Sequence, residues 1–271
     1  MTMTDTSPLP QTPAAAPQPL AVAIDKVSKT YPGPGGGKEG GTLALSDIDL
    51  HIRAHEFVSV IGPSGCGKST LLRILGGLLA YDGAVALNGV PVDGPSPDIS
   101  IVFQKSNLLP WLTTEANLRL GAEIRRKPVT AAGIAEMVDL LGLQGFEKNY
   151  PHQLSGGMQQ RVSLGQALVL RPRILLLDEP FGALDALTRD RLNIELLRIW
   201  EEERQTVFLV THSITEAVLL SDRVVVMSAR PGRIIDDVRI DLPRPRSVKE
   251  TRADPRFSAY VNQLSELMGV V

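Results

Sequence analysis

Apolar positions near the start of the chain follow a strand-like spacing, mostly of two residues: Val22, Ile24 and Val27, then, after a glycine-rich break from Gly33 to Gly41, Leu43, Leu45, Ile48, Leu50 and Ile52. Successive side chains of a strand face opposite ways, so the stretch from Leu20 to Val60 is strand-like and predicts a hairpin with a long flexible loop. Phe57-Val58-Ser59-Val60-Ile61 reads as a buried strand. It runs into a glycine-rich turn and then into Ser69 to Leu79, which has the pattern of a helix. From about Asn107 to Leu170 helical spacing prevails, as at Ile134, Met137, Val138 and Leu141, and predicts a helical insertion. Two buried strands of the parallel type follow at Ile174 to Leu177 and Val207 to Val210, separated by a helix over Leu187 to Arg204. The run Arg223 to Met227 and a β-rich segment to Leu242 complete the core. Beyond the linker Pro243-Arg244-Pro245-Arg246, residues Phe257, Tyr260, Val261, Leu264 and Met268 share one helical face, expected to pack on the body rather than bind a partner. The sequence has no internal repeat.

Composition narrows the class. A chain of 271 residues that is 43% hydrophobic can bury one substantial core and a smaller attached subdomain. Its formal net charge of -2 lacks the basic footprint of a phosphate-backbone binder, so nucleic acid is not an expected partner. The single cysteine, Cys66, excludes an intrachain disulfide framework and fits a reducing compartment. Met1 to Leu20 is rich in Pro, Ala, Thr and Gln, has no secretory-signal pattern, and reads as a disordered tail. No apolar stretch reaches the roughly 18 residues needed to span a bilayer, so the expected membrane role is peripheral.

The chemistry begins at Gly62-Pro63-Ser64-Gly65-Cys66-Gly67-Lys68-Ser69, which matches the phosphate-loop pattern of two glycines bracketing four residues and followed by Lys and Ser. Glycines let backbone N–H groups converge on phosphate oxygens where side chains would obstruct, and the helix start adds partial positive charge. Lys68 is expected to reach the β- and γ-phosphates, and the Ser69 hydroxyl to bind Mg²⁺. Ile174 to Leu177 is an apolar strand that ends in Asp178 and Glu179. Asp178 suits a hard cation through oxygen and water, and Glu179 is placed to orient or deprotonate an attacking water. Between these motifs, Leu154-Ser155-Gly156-Gly157-Met158-Gln159-Gln160-Arg161 puts a hydroxyl and paired glycines at the start of a helix, a second anion site in one chain.

In this order the motifs resemble the ATP-binding cassette (ABC) family over nearly the whole chain after residue 20. The resemblance implies an α/β fold: a P-loop NTPase (RecA-like) core with an antiparallel β subdomain and an inserted α-helical subdomain at about 105–170. The ATPase domain is expected over 21–247, with a helical extension at 248–271. The implied cofactors are ATP and Mg²⁺. Nucleotide contacts carried over are Gly62, Pro63, Ser64, Gly65, Cys66, Gly67, Lys68, Ser69 and Thr70 of one copy, completed by Ser155, Gly156 and Gly157 of a second copy in a head-to-tail dimer.

Further matches are Tyr31, as an aromatic stacked on adenine or a Tyr packed at a strand end; Gln104, as a contact to Mg²⁺ and water; and Asp185, in the loop that couples the two sites. His212 resembles the histidine that holds the γ-phosphate. Catalysis is thereby assigned to Glu179, His212 and Lys68, and metal binding to Ser69, Gln104 and Asp178. Cys66 lies within the loop, so bulky alkylation of its thiol is expected to block ATP binding.

Within the family the sequence is similar to bacterial importer subunits for nitrate, sulfonates and taurine. The motifs concerned are Leu109-Pro110-Trp111-Leu112-Thr113, Glu179-Pro180-Phe181-Gly182-Ala183-Leu184-Asp185, His212-Ser213-Ile214-Thr215-Glu216-Ala217 and Ser228-Ala229-Arg230-Pro231-Gly232-Arg233-Ile234. Importers of cyanate, bicarbonate and related solutes share most of these. The implied partners are a second copy, integral permease subunits and, indirectly, a solute-binding protein, at the cytoplasmic face of the cell membrane. Trp111 is either an apolar anchor for the permease or an internal packing residue.

The competing readings are a soluble ABC ATPase without a permease, a P-loop module that no longer hydrolyses ATP, and an exporter subunit. The chain departs from many relatives at Gly165-Gln166-Ala167, where they have Ala-Arg-Ala, and at Ser213, where an Asp is common.

Overall fold

A computed structural model describes residues 19–33, 40–127, 129–182 and 184–269. The expected tail lies outside these residues up to position 18, as does most of the glycine-rich break in the first hairpin.

Strands β1 (Leu20–Tyr31) and β2 (Thr42–Arg53) form that hairpin with antiparallel register, Ile24 opposite Leu50 and Val27 opposite Ile48. Their inward residues are buried, as the alternation requires. On the other edge of β1 lie β4 (Asp82–Leu87) and then β5 (Val90–Pro91), giving a four-stranded sheet in the order β2-β1-β4-β5. The strand β4 is not foreshadowed by the sequence pattern. Only Val85 and Leu87 of it are buried, and the ladder to β1 is what holds it.

The second sheet has six strands in the order β10-β9-β3-β8-β7-β6. Here β3 is Phe57–Ile61, β6 Ile99–Val102, β7 Ile174–Asp178, β8 Thr206–Val210 and β9 Arg223–Met227. These five are mutually parallel, and β10 (Ile234–Arg239) closes one edge antiparallel. Helices on both faces explain why β3, β7 and β8 are uniformly apolar or buried rather than alternating. The helix α1 (Lys68–Leu75) lies between the sheets, its Leu71, Leu72, Ile74 and Leu75 sharing one core with Val22 and Ile24 of β1 and Val58 and Val60 of β3. It ends four residues before the expected Leu79. Gly76 caps it and Gly77 turns away with φ 69°, so close to a neighbouring strand connection that a Cβ would stand 2.1 Å from the Gly94 carbonyl oxygen.

The helical insertion comprises α2 (Thr114–Ile124), α3 (Ala131–Leu140) and α4 (Gly156–Leu168). Thr113, Thr130 and Ser155 cap them by accepting backbone N–H groups. The departure at Gly165-Gln166 has a packing reason. A Cβ on Gly165 would stand 2.5 Å from Leu118 Cδ2 and 2.6 Å from Leu141 Cδ1, so α2 and α4 meet there without room for a methyl. Gln166 Nε2 donates to the Asn117 carbonyl at 2.9 Å, and the buried Asn117 in turn donates to the carbonyls of Leu109, Leu112 and Thr113.

After β7 come α5 (Ala186–Glu203) and, after β8, α6 (Ile214–Leu220). The residues Pro243 to Arg246 do not form a loose linker. Arg244 binds the Asp222 carboxylate at 2.7 Å, and buried Arg246 donates to the carbonyls of Leu219 and Ser221 at 3.0 and 2.8 Å, at the end of α6. The chain then forms α7 (Val248–Ala253) and α8 (Pro255–Leu267), which bury Phe257 and Leu264 against Val218, Val224 and Val226. Tyr260, Val261 and Met268 pack on the same cluster, as the shared helical face requires. Among the described residues no helix is long and apolar enough to cross a membrane.

Candidate functional site

Four adjacent parallel strands, β3, β8, β7 and β6, end on one side of the sheet; β6, β7 and β8 are each followed within two residues by a polar side chain, and β3 runs into the glycine-rich loop. Open α/β sheets bind ligands at this carboxyl edge, because loops and helix starts there converge on one crevice.

The phosphate loop follows β3. Gly62 leaves no room for a side chain, since a Cβ would stand 2.9 Å from both Cys66 Sγ and the Met227 carbonyl oxygen. Gly65 and Gly67 hold the left-handed conformation at φ 76° and 107°, open to glycine at little steric cost. The first helical hydrogen bond of α1 runs from Leu71 N to the Gly67 carbonyl, so the amides of Lys68, Ser69 and Thr70 have no partner inside the helix. They are donors for an anion. Lys68 is buried, and its Nζ donates to the carbonyls of Gly62 and Pro63 at 2.7 and 3.0 Å. Phosphate oxygens can replace those carbonyls as acceptors. Tyr31 stands beside the same helical turn, its hydroxyl 3.1 Å from Thr70 Oγ1.

Cys66 corrects one expectation. Its side chain is 1% exposed and packs in the core with Leu45, Leu71 and Met227, its Sγ 3.8 Å from Lys68 Nζ, so the thiol lies beneath the loop and is closed to reagents at its surface. Bulky thiol reagents should therefore leave the folded chain unlabelled for as long as the core stays closed, and label it quickly once denatured, as read by intact mass. Rapid labelling without denaturant would contradict the burial.

The carboxylates follow β7. Asp178 is buried and accepts from Ser69 Oγ at 2.8 Å. Burial pushes its carboxyl above the usual range; the Ser69 hydrogen bond opposes this, and the neighbouring Glu179 adds to it. A buried carboxyl beside a hydroxyl is a poor place for an isolated charge and a good one for a divalent cation. Hard oxygen donors from Ser69, Asp178 and the Gln104 amide fit Mg²⁺. Glu179 takes φ 48°, a left-handed conformation that costs a non-glycine residue about 1–3 kcal/mol, and its N–H is tied to the Val210 carbonyl at 2.8 Å. The turn aims its side chain back across the strand ends. Gln104, after β6, donates through Nε2 to Glu179 Oε2 at 2.9 Å, and His212, after β8, places Nδ1 3.4 Å from the same oxygen.

Two neighbours of His212, Thr211 and Glu216, carry a structural role that the motifs do not state. Thr211 Oγ1 donates to the buried Glu216 carboxylate and accepts from Ser213 N at 3.0 Å, while Ser213 Oγ accepts from Glu216 N at 3.3 Å. His212 is thus held in the middle of a closed hydrogen-bonded turn. The Ser-x-x-Glu spacing of a capping box is the signal that could have found it.

The remaining predicted residues lie elsewhere. Ser155 caps α4 by accepting from Met158 N at 3.2 Å, Gly156 has open space at its Cβ position, and Gly157 lies against Leu184, which a Cβ would meet at 2.8 Å. Asp185 caps α5 through Thr188 N at 3.0 Å, and that backbone hydrogen bond holds its carboxyl below the ordinary range. Among the described residues, no hydrogen bond joins either group to the phosphate loop of the same chain.

Comparison with known proteins agrees with this geometry. Residues 45–182 match the family model for the ABC transporter. An ABC transporter ATP-binding protein of Methanocaldococcus jannaschii is 53% identical over 228 residues, covering 83% of this chain and 84% of that one. An aliphatic sulfonates import ATP-binding protein of Bacillus cereus is 45% identical over 254 residues, covering 93% of this chain and 98% of its own length. A nitrate import ATP-binding protein of Synechococcus elongatus is 44% identical over 249 residues, and the chain spans 37% of that longer protein. Among solved structures, a dimeric ATP-binding cassette in a post-hydrolysis state with ADP and Pi superposes with a TM-score of 0.73 at 32% identity, covering 82% of this chain and all 100% of that one. A P-loop core of this topology, the cassette motifs on its strand ends and identity across nearly its whole described length have one explanation: the chain belongs to the ABC transporter family, as an ATP-binding subunit that hydrolyses ATP.

Proposed function

We propose that two copies of this chain clasp two ATP molecules head to tail and use their hydrolysis to drive a membrane permease that imports a small solute, in the class of nitrate, sulfonates or taurine. The observation that carries the reading is the convergence of Gln104 and His212 on one carboxylate oxygen of Glu179, at 2.9 and 3.4 Å, beside the Ser69–Asp178 pair. Lys68 and the amides at the start of α1 bind the triphosphate. Ser69, Asp178 and Gln104 would hold Mg²⁺, which would supply positive charge to the transferring phosphoryl group. Glu179 accepts a proton from water aligned with the γ-phosphate, and His212 donates a hydrogen bond toward the phosphoryl oxygens.

The Ser155 turn completes the site from the opposite copy. Support comes from its exposed N–H groups, the absence of a hydrogen bond to its own phosphate loop, and the dimeric form of the solved relative. Substituting Ser155→Arg should leave nucleotide binding by a single copy intact while abolishing ATP-dependent dimerisation and hydrolysis. Sedimentation with MgATP and phosphate release measure the two; dimers of normal turnover would refute the shared site.

Coupling to the permease is assigned to the Leu108 to Leu112 stretch. Trp111 is 69% exposed, which favours an anchoring role over internal packing, and Asn117 holds the loop through the Leu109 and Leu112 carbonyls. The place of action is then the cytoplasmic face of the membrane. The relatives that act on sulfonates and nitrate support the solute class. ATP-dependent uptake by the complex purified with its permease and solute-binding protein tests it; a complex that moves none of these anions would overturn it.

A further inference from the structure

The connection between β9 and β10, Ser228 to Arg233, takes no part in the proposed cycle, yet it is pressed against the phosphate loop. Gly232 approaches so closely that a Cβ there would stand 2.0 Å from the Cys66 carbonyl oxygen. Its backbone is fastened to β2, donating from N to the Ala44 carbonyl at 2.9 Å and accepting at its own carbonyl from Ser46 N at 3.0 Å. Ser228 closes the connection on itself, its Oγ donating to the Pro231 carbonyl at 3.1 Å and accepting from Arg233 N at 3.0 Å. From this fixed base Arg230 reaches back, and its Nε and Nη2 both donate to the Gly65 carbonyl, at 3.2 and 3.1 Å.

That carbonyl belongs to a peptide of particular consequence. In a trans peptide C=O and N–H point in opposite directions. Gripping the Gly65 oxygen from outside the loop therefore turns the N–H of Cys66 toward its interior, where it now lies 3.3 Å from the Pro63 carbonyl. An inward ring of successive N–H groups is what makes such a loop bind anions. Gly65 itself sits at φ 76° and has no side chain to brace the turn, so the brace must come from elsewhere.

We propose that Arg230 is a positioning residue of the nucleotide site: by holding the Gly65 carbonyl it fixes the peptide whose N–H receives the polyphosphate. This rests on reading Gly62 to Thr70 as the phosphate loop. Two guanidinium donors converge on one oxygen, which a lysine ammonium on a flexible stem reproduces only in part. The guanidinium is exposed, so its charge is screened and the geometric effect dominates. The loop takes phosphates common to both nucleotides, so ATP and ADP should lose affinity together.

The test is titration of the full chain with fluorescent ATP and ADP analogues, alongside steady-state ATPase and thermal unfolding without nucleotide. For Arg230→Ala, Kd for both nucleotides should rise about fivefold to tenfold, the scale of one ordinary net hydrogen bond, since the exposed guanidinium is screened, with KM rising alike. The kcat at saturation should stay within about twofold and the unfolding midpoint should be unchanged. Arg230→Lys should fall between Ala and wild type. Wild-type Kd values in Arg230→Ala would overturn the proposal, and so would a fall in kcat at constant KM or an equal loss of thermal stability in both variants. Lys68→Ala is the control: if it too binds ATP normally, the loop reading itself fails, whereas weak binding there beside normal binding in Arg230→Ala removes the arginine alone.

Discussion

Glu179→Gln is expected to retain MgATP binding, accumulate a closed dimer and lose hydrolysis by about 10²–10⁴-fold, the range that a positioned general base supplies. The substitution is nearly isosteric, and an amide oxygen can still accept from Gln104 Nε2, which now donates at 2.9 Å. The left-handed turn at φ 48° is also kept, since it depends on the backbone bond to Val210 rather than on the side chain. What is lost is a basic oxygen facing His212. Phosphate release and size-exclusion chromatography with MgATP check both halves. Steady-state turnover near wild type would remove Glu179 from the role of base.

Lys68→Ala acts a step earlier. The ammonium is buried and bonded to the carbonyls of Gly62 and Pro63, so truncation removes the loop's internal cation and leaves both acceptors to water. A charged hydrogen bond contributes about 1.5–3 kcal/mol, so ATP affinity should fall about 10-fold to 100-fold or more, read by titration with a fluorescent analogue. Thermal unfolding distinguishes a lost ligand contact from a collapsed loop. Unchanged affinity in a folded variant would discredit the assignment of the loop. The two variants separate cleanly: one binds and stalls, the other does not bind.

Much of the architecture is legible residue by residue because its causes are local. The alternation in β1 and β2 reports a sheet with one buried face. The unbroken apolar runs of β3, β7 and β8 report strands covered on both faces. Where local signals were weak, reading failed. Asp82 to Leu87 has two buried apolar residues and becomes a strand through its ladder to β1. The helix α1 stops at Leu75 because Gly77 must pass within reach of the Gly94 carbonyl, a contact that no window of sequence around α1 contains.

The site divides in the same way. Gly62 to Ser69 could be read directly, since a run of glycines followed by Lys and Ser encodes its own cradle: the backbone conformations, the donors and the helix start are all within eight residues. Three facts required the folded chain. Gln104, Glu179 and His212 meet on one oxygen only because β6, β7 and β8 are sheet neighbours, an order set by long-range pairing. The Cys66 thiol is buried in the core although its peptide lines the loop, a placement set by packing against Leu45, Leu71 and Met227. Arg230 joins the phosphate loop from 165 residues away. Sequence determines chemistry wherever neighbours in the chain suffice to build it; tertiary structure decides which distant groups share an atom, because parallel strands bring together ends that the chain itself keeps far apart.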